Sequence, residues 1–188
     1  MSSSFGGRSV GLSALARAGA ATVLCAAFLV GCSAAPTEEP SSEGIDGVQT
    51  YGDLSRDHTE DPVDYPQSPP VGGNHNPVWL DCTGTVYDEP VQNENAVHSL
   101  EHGAVWITYD DSVSADDVAA VADVVDGQPY TFMSPYPDQD SPIVLTAWGV
   151  QLGVDSVDDA RIDEFLTAYR QGPQTPEPGA TCESGMMP

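Results

Sequence analysis

Two histidines four positions apart, His98 and His102, stand in the stretch NENAVHSLEHGAVWITY with Glu101 between them. On a helix that spacing puts both imidazoles on one face, about one turn apart, where they can turn toward a single ion. A third histidine, His75, lies in YPQSPPVGGNHNPVW, where prolines fix backbone dihedrals and paired glycines permit tight turns. The fourth, His58, lies in the loop DLSRDHTEDP. Imidazole ligands suit zinc or copper, and an added thioether favours copper(I). Met133, just before Ser134-Pro135, and the terminal Met186-Met187 are the candidate sulfur donors. The residues therefore point to a transition-metal site, copper ahead of zinc, with His75, His98 and His102 as ligands and His58 or Met133 as a fourth. Glu101 is then expected to orient an imidazole, because a metal-bound histidine usually gives its other N–H to a carboxylate or carbonyl.

Two other readings compete. His98-Ser99-Leu100-Glu101-His102 matches H-x-x-E-H, in which both histidines hold zinc and the glutamate is the general base of inverted zinc peptidases. It also looks like the metal motif of S-ribosylhomocysteine lyases. That makes Glu101 a candidate catalytic base, but no residue answers convincingly to either family's third ligand, Glu164 being a distant candidate. The alternative from another class is a non-catalytic interaction module with structural histidines. A histidine at a helix C-terminus complements the dipole and caps carbonyls, which accounts for His102 better than for His98 and leaves His75 unexplained.

The elements that must position these residues are legible in part. Asn93 or Asn95 can cap a helix running to His102, with Gly103 as its C-terminal glycine. AVWITY reads as a buried strand. Ser114 with Asp117 forms a capping signature before a helix carrying Val118, Val121, Ala122 and Val125, which ends at Gly127. YTFMS and IVLTAWG read as strands joined by the turn-rich PYPDQDSP. A last helix places Ile162, Phe165, Leu166 and Tyr169 at helical spacing and stops at Gly172-Pro173. The order predicts one small α+β domain over residues 49–182, a mixed sheet of three or more strands with helices packed on it and a loop-rich N-terminal part. Residues 183–188 read as a flexible tail.

The N-terminal segment reads as an address. Arg8 and Arg17 precede an apolar run, Ala18 to Gly31, short for a membrane span but the length of a signal-peptide core. It ends in Leu29-Val30-Gly31-Cys32, the pattern a lipoprotein signal peptidase reads. Residues 1–31 are thus expected to be removed and Cys32 to carry a diacylglycerol. Residues 32–48, poor in apolar side chains, would form a disordered tether. With Cys25 lost and Cys32 lipidated, Cys82 and Cys182 remain, and an even pair in an oxidising compartment reads as one disulfide. The expected location is the outer face of the cytoplasmic membrane, held by the lipid. Three arginines then face 29 acidic residues, a surface that repels nucleic acid and anionic substrates. The sequence names no protein partner.

Taken together, PPVGGNHNPVW, Cys82, VYDEPVQNENAVHSLEHGAVWITY, SPYP, IVLTAWG and QGPQTPEPGATC resemble the bacterial family called domain of unknown function 3105, over about residues 50 to 182. The resemblance implies an exported or membrane-anchored protein and brings no assigned activity. By position it carries the GG-x-H segment onto His75 and the HSLEHG segment onto His98, Glu101 and His102. The family commonly has glycine directly after the cysteine, where this chain has Cys82-Thr83-Gly84.

Overall fold

The computed structural model describes residues 44–188. The signal peptide expected over 1–31, the lipidation site Cys32 and most of the expected tether lie outside them. The fold is α+β: one mixed six-stranded sheet with three helices. In chain order the elements are β1 (Gln49–Thr50), β2 (Thr83–Val86), α1 (Asn93–Glu101), β3 (Val105–Tyr109), α2 (Ala115–Val125), β4 (Thr131–Pro135), β5 (Ile143–Ala147), β6 (Val150–Val154) and α3 (Arg161–Tyr169). The strands lie in the order β1-β6-β5-β3-β4-β2. β4 runs parallel to both β2 and β3, while the pairs β3–β5, β5–β6 and β1–β6 are antiparallel.

Side chains alternate across a strand, so this sheet separates two cores. Val105, Ile107, Met133, Ile143, Leu145, Val150 and Leu152 point to one face, where α2 adds Val121 and Val125 and α3 adds Ile162, Phe165 and Tyr169. Trp106 and Phe132 point to the other, where α1 adds Ala96, Val97 and Leu100, and the chain around Leu80, Cys82 and Trp148 completes the cover. The Trp106 and Phe132 rings stack 5.6 Å apart.

Strand β6 was not expected. IVLTAWGVQLGV is a hairpin that turns at Trp148-Gly149, with Gly149 at φ 69, and Leu145 faces Leu152 across it. β2 was also missed, being four residues with a register shift between Thr83 and Thr85. Gly84 sits in that shift at φ 87, where an added Cβ would strike the backbone of Gly127 and Gln128. The glycine one place later than in the family pattern is therefore required by this bulge.

Helix α1 starts where expected but without the expected cap. Its N-cap is Gln92, with no side-chain cap bond. Asn93 and Asn95 are used elsewhere: Asn93 Nδ2 donates to the Tyr136 hydroxyl and Asn95 Nδ2 to the Val78 carbonyl. The Ser114 cap of α2 is present, its Oγ accepting from Asp117 N at 3.2 Å. The segment 183–188 is not a free tail. Met186 N donates to Trp79 O and Asp81 N to Met186 O, so the chain end lies as an extra ribbon beside Leu80. Cys82 and Cys182 are bonded as a disulfide, closing a sequence separation of 100 residues.

Candidate metal centre

The site grows from two irregular segments pinned to helix α1. Residues 57–59 and 75 pair by a single bridge, His75 N donating to Asp57 O and Thr59 N to His75 O. That bridge sets the His58 and His75 rings side by side, 4.8 Å between centroids. Gly72 and Gly73 precede His75 at φ 147 and φ 121, conformations that a side chain would strain. The turn they make points the Gly73 carbonyl back at the His75 ring. The segment after it is clamped to α1: Asn76 N donates to Glu94 O, Asn95 Nδ2 to Val78 O, and Ser99 Oγ to Leu80 O while accepting from Leu80 N. Polar side chains of a buried helix thus replace the strand partners that this loop lacks.

On that frame three imidazoles stand almost equidistant. The centroid separations are 4.8 Å for His58–His75, 4.9 Å for His58–His98 and 5.0 Å for His75–His98. One donor atom from each, with a carboxylate oxygen of Glu101, forms a set lying within 4.8 Å of one another. Two ligands of one zinc ion lie at most about 4.2 Å apart, so the widest pair has to close by about 0.6 Å or more on binding. His75, His98 and Glu101 are buried, while the His58 side chain is 46% exposed.

The second nitrogen of each buried ring is already committed. Nδ1 of His75 donates to Gly73 O at 2.8 Å, Nδ1 of His98 to Asn76 O at 2.6 Å and Nδ1 of His102 to Thr181 O at 2.7 Å. A carbonyl can only accept, so each bond puts a proton on Nδ1 and leaves Nε2 as the lone-pair nitrogen. This is the tautomer and support that metal-bound histidines use. Burial pushes the His98 imidazole down to about 4, with the Asn76 carbonyl opposing and the neighbouring histidines adding to the shift. The ring is therefore neutral, and able to ligate, at ordinary pH.

Glu101 is the departure from local rules. It is a buried carboxylate in the last turn of α1, where the helix dipole disfavours negative charge. Its Oε2 lies 2.8 Å from His75 Nε2 and 3.7 Å from His58 Nε2. With Nδ1 of His75 given to the Gly73 carbonyl, Nε2 is the ring nitrogen that faces the Glu101 carboxyl. A cation bound between them would have this nitrogen and this oxygen as donors.

The expected ligands divide. His58, His75 and His98 come together, and a carboxylate oxygen of Glu101 lies among their donor atoms, where it could serve as a fourth donor. The helical pair in this donor set is thus His98 and Glu101, three apart, instead of His98 and His102, four apart. His102 stands next in line, its ring 4.6 Å from that of His98, but it is the C-cap of α1 and its ring is tied to the C-terminal segment. Besides the Thr181 bond, its Nε2 lies 3.7 Å from Glu177 Oε2, and burial lowers its pKa. Met133 cannot serve: on β4 it faces the α2–α3 core, with the sheet between it and the histidines. Met186 packs beside Leu80 and Met187 is exposed, so neither joins the set. Sequence reasoning missed two aromatic walls, Trp148 at 5.9 Å from the His75 ring and Trp79 at 5.7 Å from that of His98. It also missed the Asn76 carbonyl; none of these three stands at a spacing that announces it.

Residues 57–184 match the family described as Protein of unknown function (DUF3105), and the chain belongs to it. No curated protein and no solved structure matches the chain.

Proposed function

We propose that this protein is a lipid-anchored extracytoplasmic domain that binds a divalent transition-metal ion through His58, His75, His98 and Glu101. The observation that carries the reading is the convergence of three imidazoles and one buried carboxylate, two of those rings having Nδ1 fixed on backbone carbonyls so that Nε2 is left to ligate. Three nitrogens and one oxygen suit zinc or copper(II). Without a thioether in the set, the case for copper(I) falls away. The location rests on the Leu29-Val30-Gly31-Cys32 sequence and on the Cys82–Cys182 disulfide, a bond of oxidising compartments.

The geometry supports a hydrolase less well. The H-x-x-E-H reading needs His98 and His102 on one ion and Glu101 free to take a proton from water. Here His102 is tied to Thr181, and Glu101 is engaged by His75.

The test is calorimetric titration of zinc and copper(II) into the full-length chain, purified without an affinity His tag. One site is expected, lost in His75→Ala and His98→Ala, with proton release that shows as a dependence on the buffer's ionisation enthalpy. Equal weak uptake by wild type and both variants would mean that only the acidic surface attracts the cation. For the anchor, Cys32→Ala is expected to leave an uncut precursor, and normal processing of that variant would remove the lipoprotein reading.

A further inference from the structure

We propose that His58 is the exchange ligand of this site, through which the ion enters and leaves by displacement of its imidazole, while His75, His98 and Glu101 remain in place. The proposal rests on the metal reading above and adds to it that the ion is a cargo passed to another donor, not a fixed structural element.

The four donors are not held alike. His75 is 0% exposed, its Nδ1 is bonded to Gly73 O, and its backbone is pinned on both sides by Asp57 O and Thr59 N. His98 sits on a helix and is bonded to Asn76 O. Glu101 sits on the same helix and is bonded to His75. Moving any of these breaks a hydrogen bond, and moving His75 or His98 also disturbs its ring contact with Trp148 or Trp79. His58 differs on each count. Its side chain is 46% exposed, and its ring makes no hydrogen bond to the described residues. Its closest polar approach, to Glu101 at 3.7 Å, is too long for one. The ring lies flat on that of His98, 16° from parallel, on the outer side of the cluster. Swinging it away costs a stacking contact and one metal bond. The backbone bridge to His75 keeps its Cα beside the site, so the ring can return without reordering the loop.

The outside of the site matches this use. Glu60, Asp61 and Glu94 line a recess of about 400 Å³ that also reaches Asn76, whose carbonyl holds His98. The recess begins two residues past His58, at Glu60, and its acidic field attracts cations and disfavours anionic chelators. The incoming donor is therefore expected to be uncharged, an imidazole or pyridine-type nitrogen or a thioether.

The experiment follows zinc transfer from the loaded full-length chain to terpyridine, a neutral chelator whose ultraviolet absorbance reports the metal, after an equilibrium titration of each variant. For wild type the transfer rate is expected to rise in proportion to terpyridine concentration. His58→Ala, whose fold is checked by circular dichroism, should still bind zinc but release it about tenfold faster, equivalent to about 1.4 kcal/mol. A wild-type rate independent of terpyridine would overturn the proposal, because release is then limited by a step within the protein and not by displacement of the His58 imidazole by the incoming donor. So would loss of binding in His58→Ala as complete as in His98→Ala, or release from His58→Ala at the wild-type rate. If wild type takes up no zinc in the titration, the site itself is refuted and the exchange role with it.

Discussion

The two faces of the sheet are assembled in opposite ways. On one, α2 and α3 lay apolar stripes over the inward side chains of β3, β4, β5 and β6, and the buried Thr131 is a polar exception, its hydroxyl donating to the Gln128 carbonyl just past α2. On the other, α1 is buried from Asn95 to Glu101, with five polar or charged side chains through His102 among its buried residues. Each of those five bonds to something distant in sequence, Val78, Asn76, Leu80, His75 or Thr181, and of the five only Asn95 keeps a buried atom, its Oδ1, without a partner. The first face is held by non-directional burial, which tolerates exchange of one apolar group for another. The second is held by directional bonds to loops, where each partner is needed because an orphaned buried group costs about 1–3 kcal/mol. The candidate site lies on the second. A fold that needed only stability would not bury a glutamate at the wrong end of a helix. That the polar face retains one, among histidines, is the structural reason to look for function there and not in the larger apolar core.

The contrast can be broken by experiment, first through the covalent link. The disulfide ties the C-terminal segment, and with it the Thr181 carbonyl, to the polar face. For a loop of about a hundred residues the chain-entropy model gives about 4–5 kcal/mol. Cys82→Ala with Cys182→Ala is therefore expected to lower unfolding stability by about that much in urea titration, and to weaken zinc binding as well. A double variant with intact zinc affinity would show that the site does not depend on the C-terminal segment.

The matching perturbation on the other face is Phe165→Ala. Phe165 is fully buried between α3 and the sheet, and its truncation should cost about 3–4 kcal/mol with no effect on zinc affinity while the protein stays folded. A concurrent loss of affinity would mean that the two cores are not energetically separate. A smaller effect of opposite sign is expected from the metal itself. Zinc at about a hundred times its dissociation constant should raise stability by about 2.7 kcal/mol in wild type and Phe165→Ala alike. Denaturant midpoints with and without zinc measure this. No gain is expected in His75→Ala, and a gain there equal to wild type would place the ion elsewhere.

The same contrast explains what the sequence disclosed. The apolar face is periodic, so α2, α3, β3, β4 and β5 are visible as stripes and runs, and Ser114 marks its helix start. β6 escaped because the apolar run continues through the Trp148-Gly149 turn, although Val150, Leu152 and Val154 alternate correctly. β2 escaped because Thr-Gly-Thr-Val carries almost no apolar content. On the polar face, His75 and His98 were legible as residue types in stiff or helical contexts. Their partners were not, because the bridge between residues 58 and 75 and the bonds from Asn76 and Thr181 are long-range and have no period. The place of Glu101 among the donor atoms was hidden for a simpler reason: a spacing of four pairs His98 with His102, whereas a spacing of three puts Glu101 on the same helical side as His98. His102 is buried as well, but its ring is bonded to the C-terminal segment through Thr181 O.

The smallest effect separates the two faces by pH, in metal-free protein. Burial holds the His98 imidazole at about 4 against its ordinary 6.5, so the unfolded chain binds a proton that the folded chain refuses. Stability is then fully present above about 6.5 and falls as pH drops toward 4, by less than about 1.4 kcal/mol per pH unit from this one group. On the other face, Asp159 sits before α3, its carboxylate held at about 2 by hydrogen bonds from the Arg161 side chain and backbone. Its contribution is complete above the ordinary carboxylate value of 3.8 and is lost only as pH falls toward 2. The polar face should therefore weaken first. Between pH 7 and 5, wild type is expected to lose more stability than His98→Asn, in which an amide can still donate to the Asn76 carbonyl but takes up no proton. Arg161→Gln should follow wild type through that range and diverge only below about pH 4. The readout is the difference between urea midpoints at each pH, so carboxylates common to all three proteins cancel. Parallel profiles for wild type and His98→Asn would show that His98 protonates as easily folded as unfolded, and that its burial imposes no electrostatic cost.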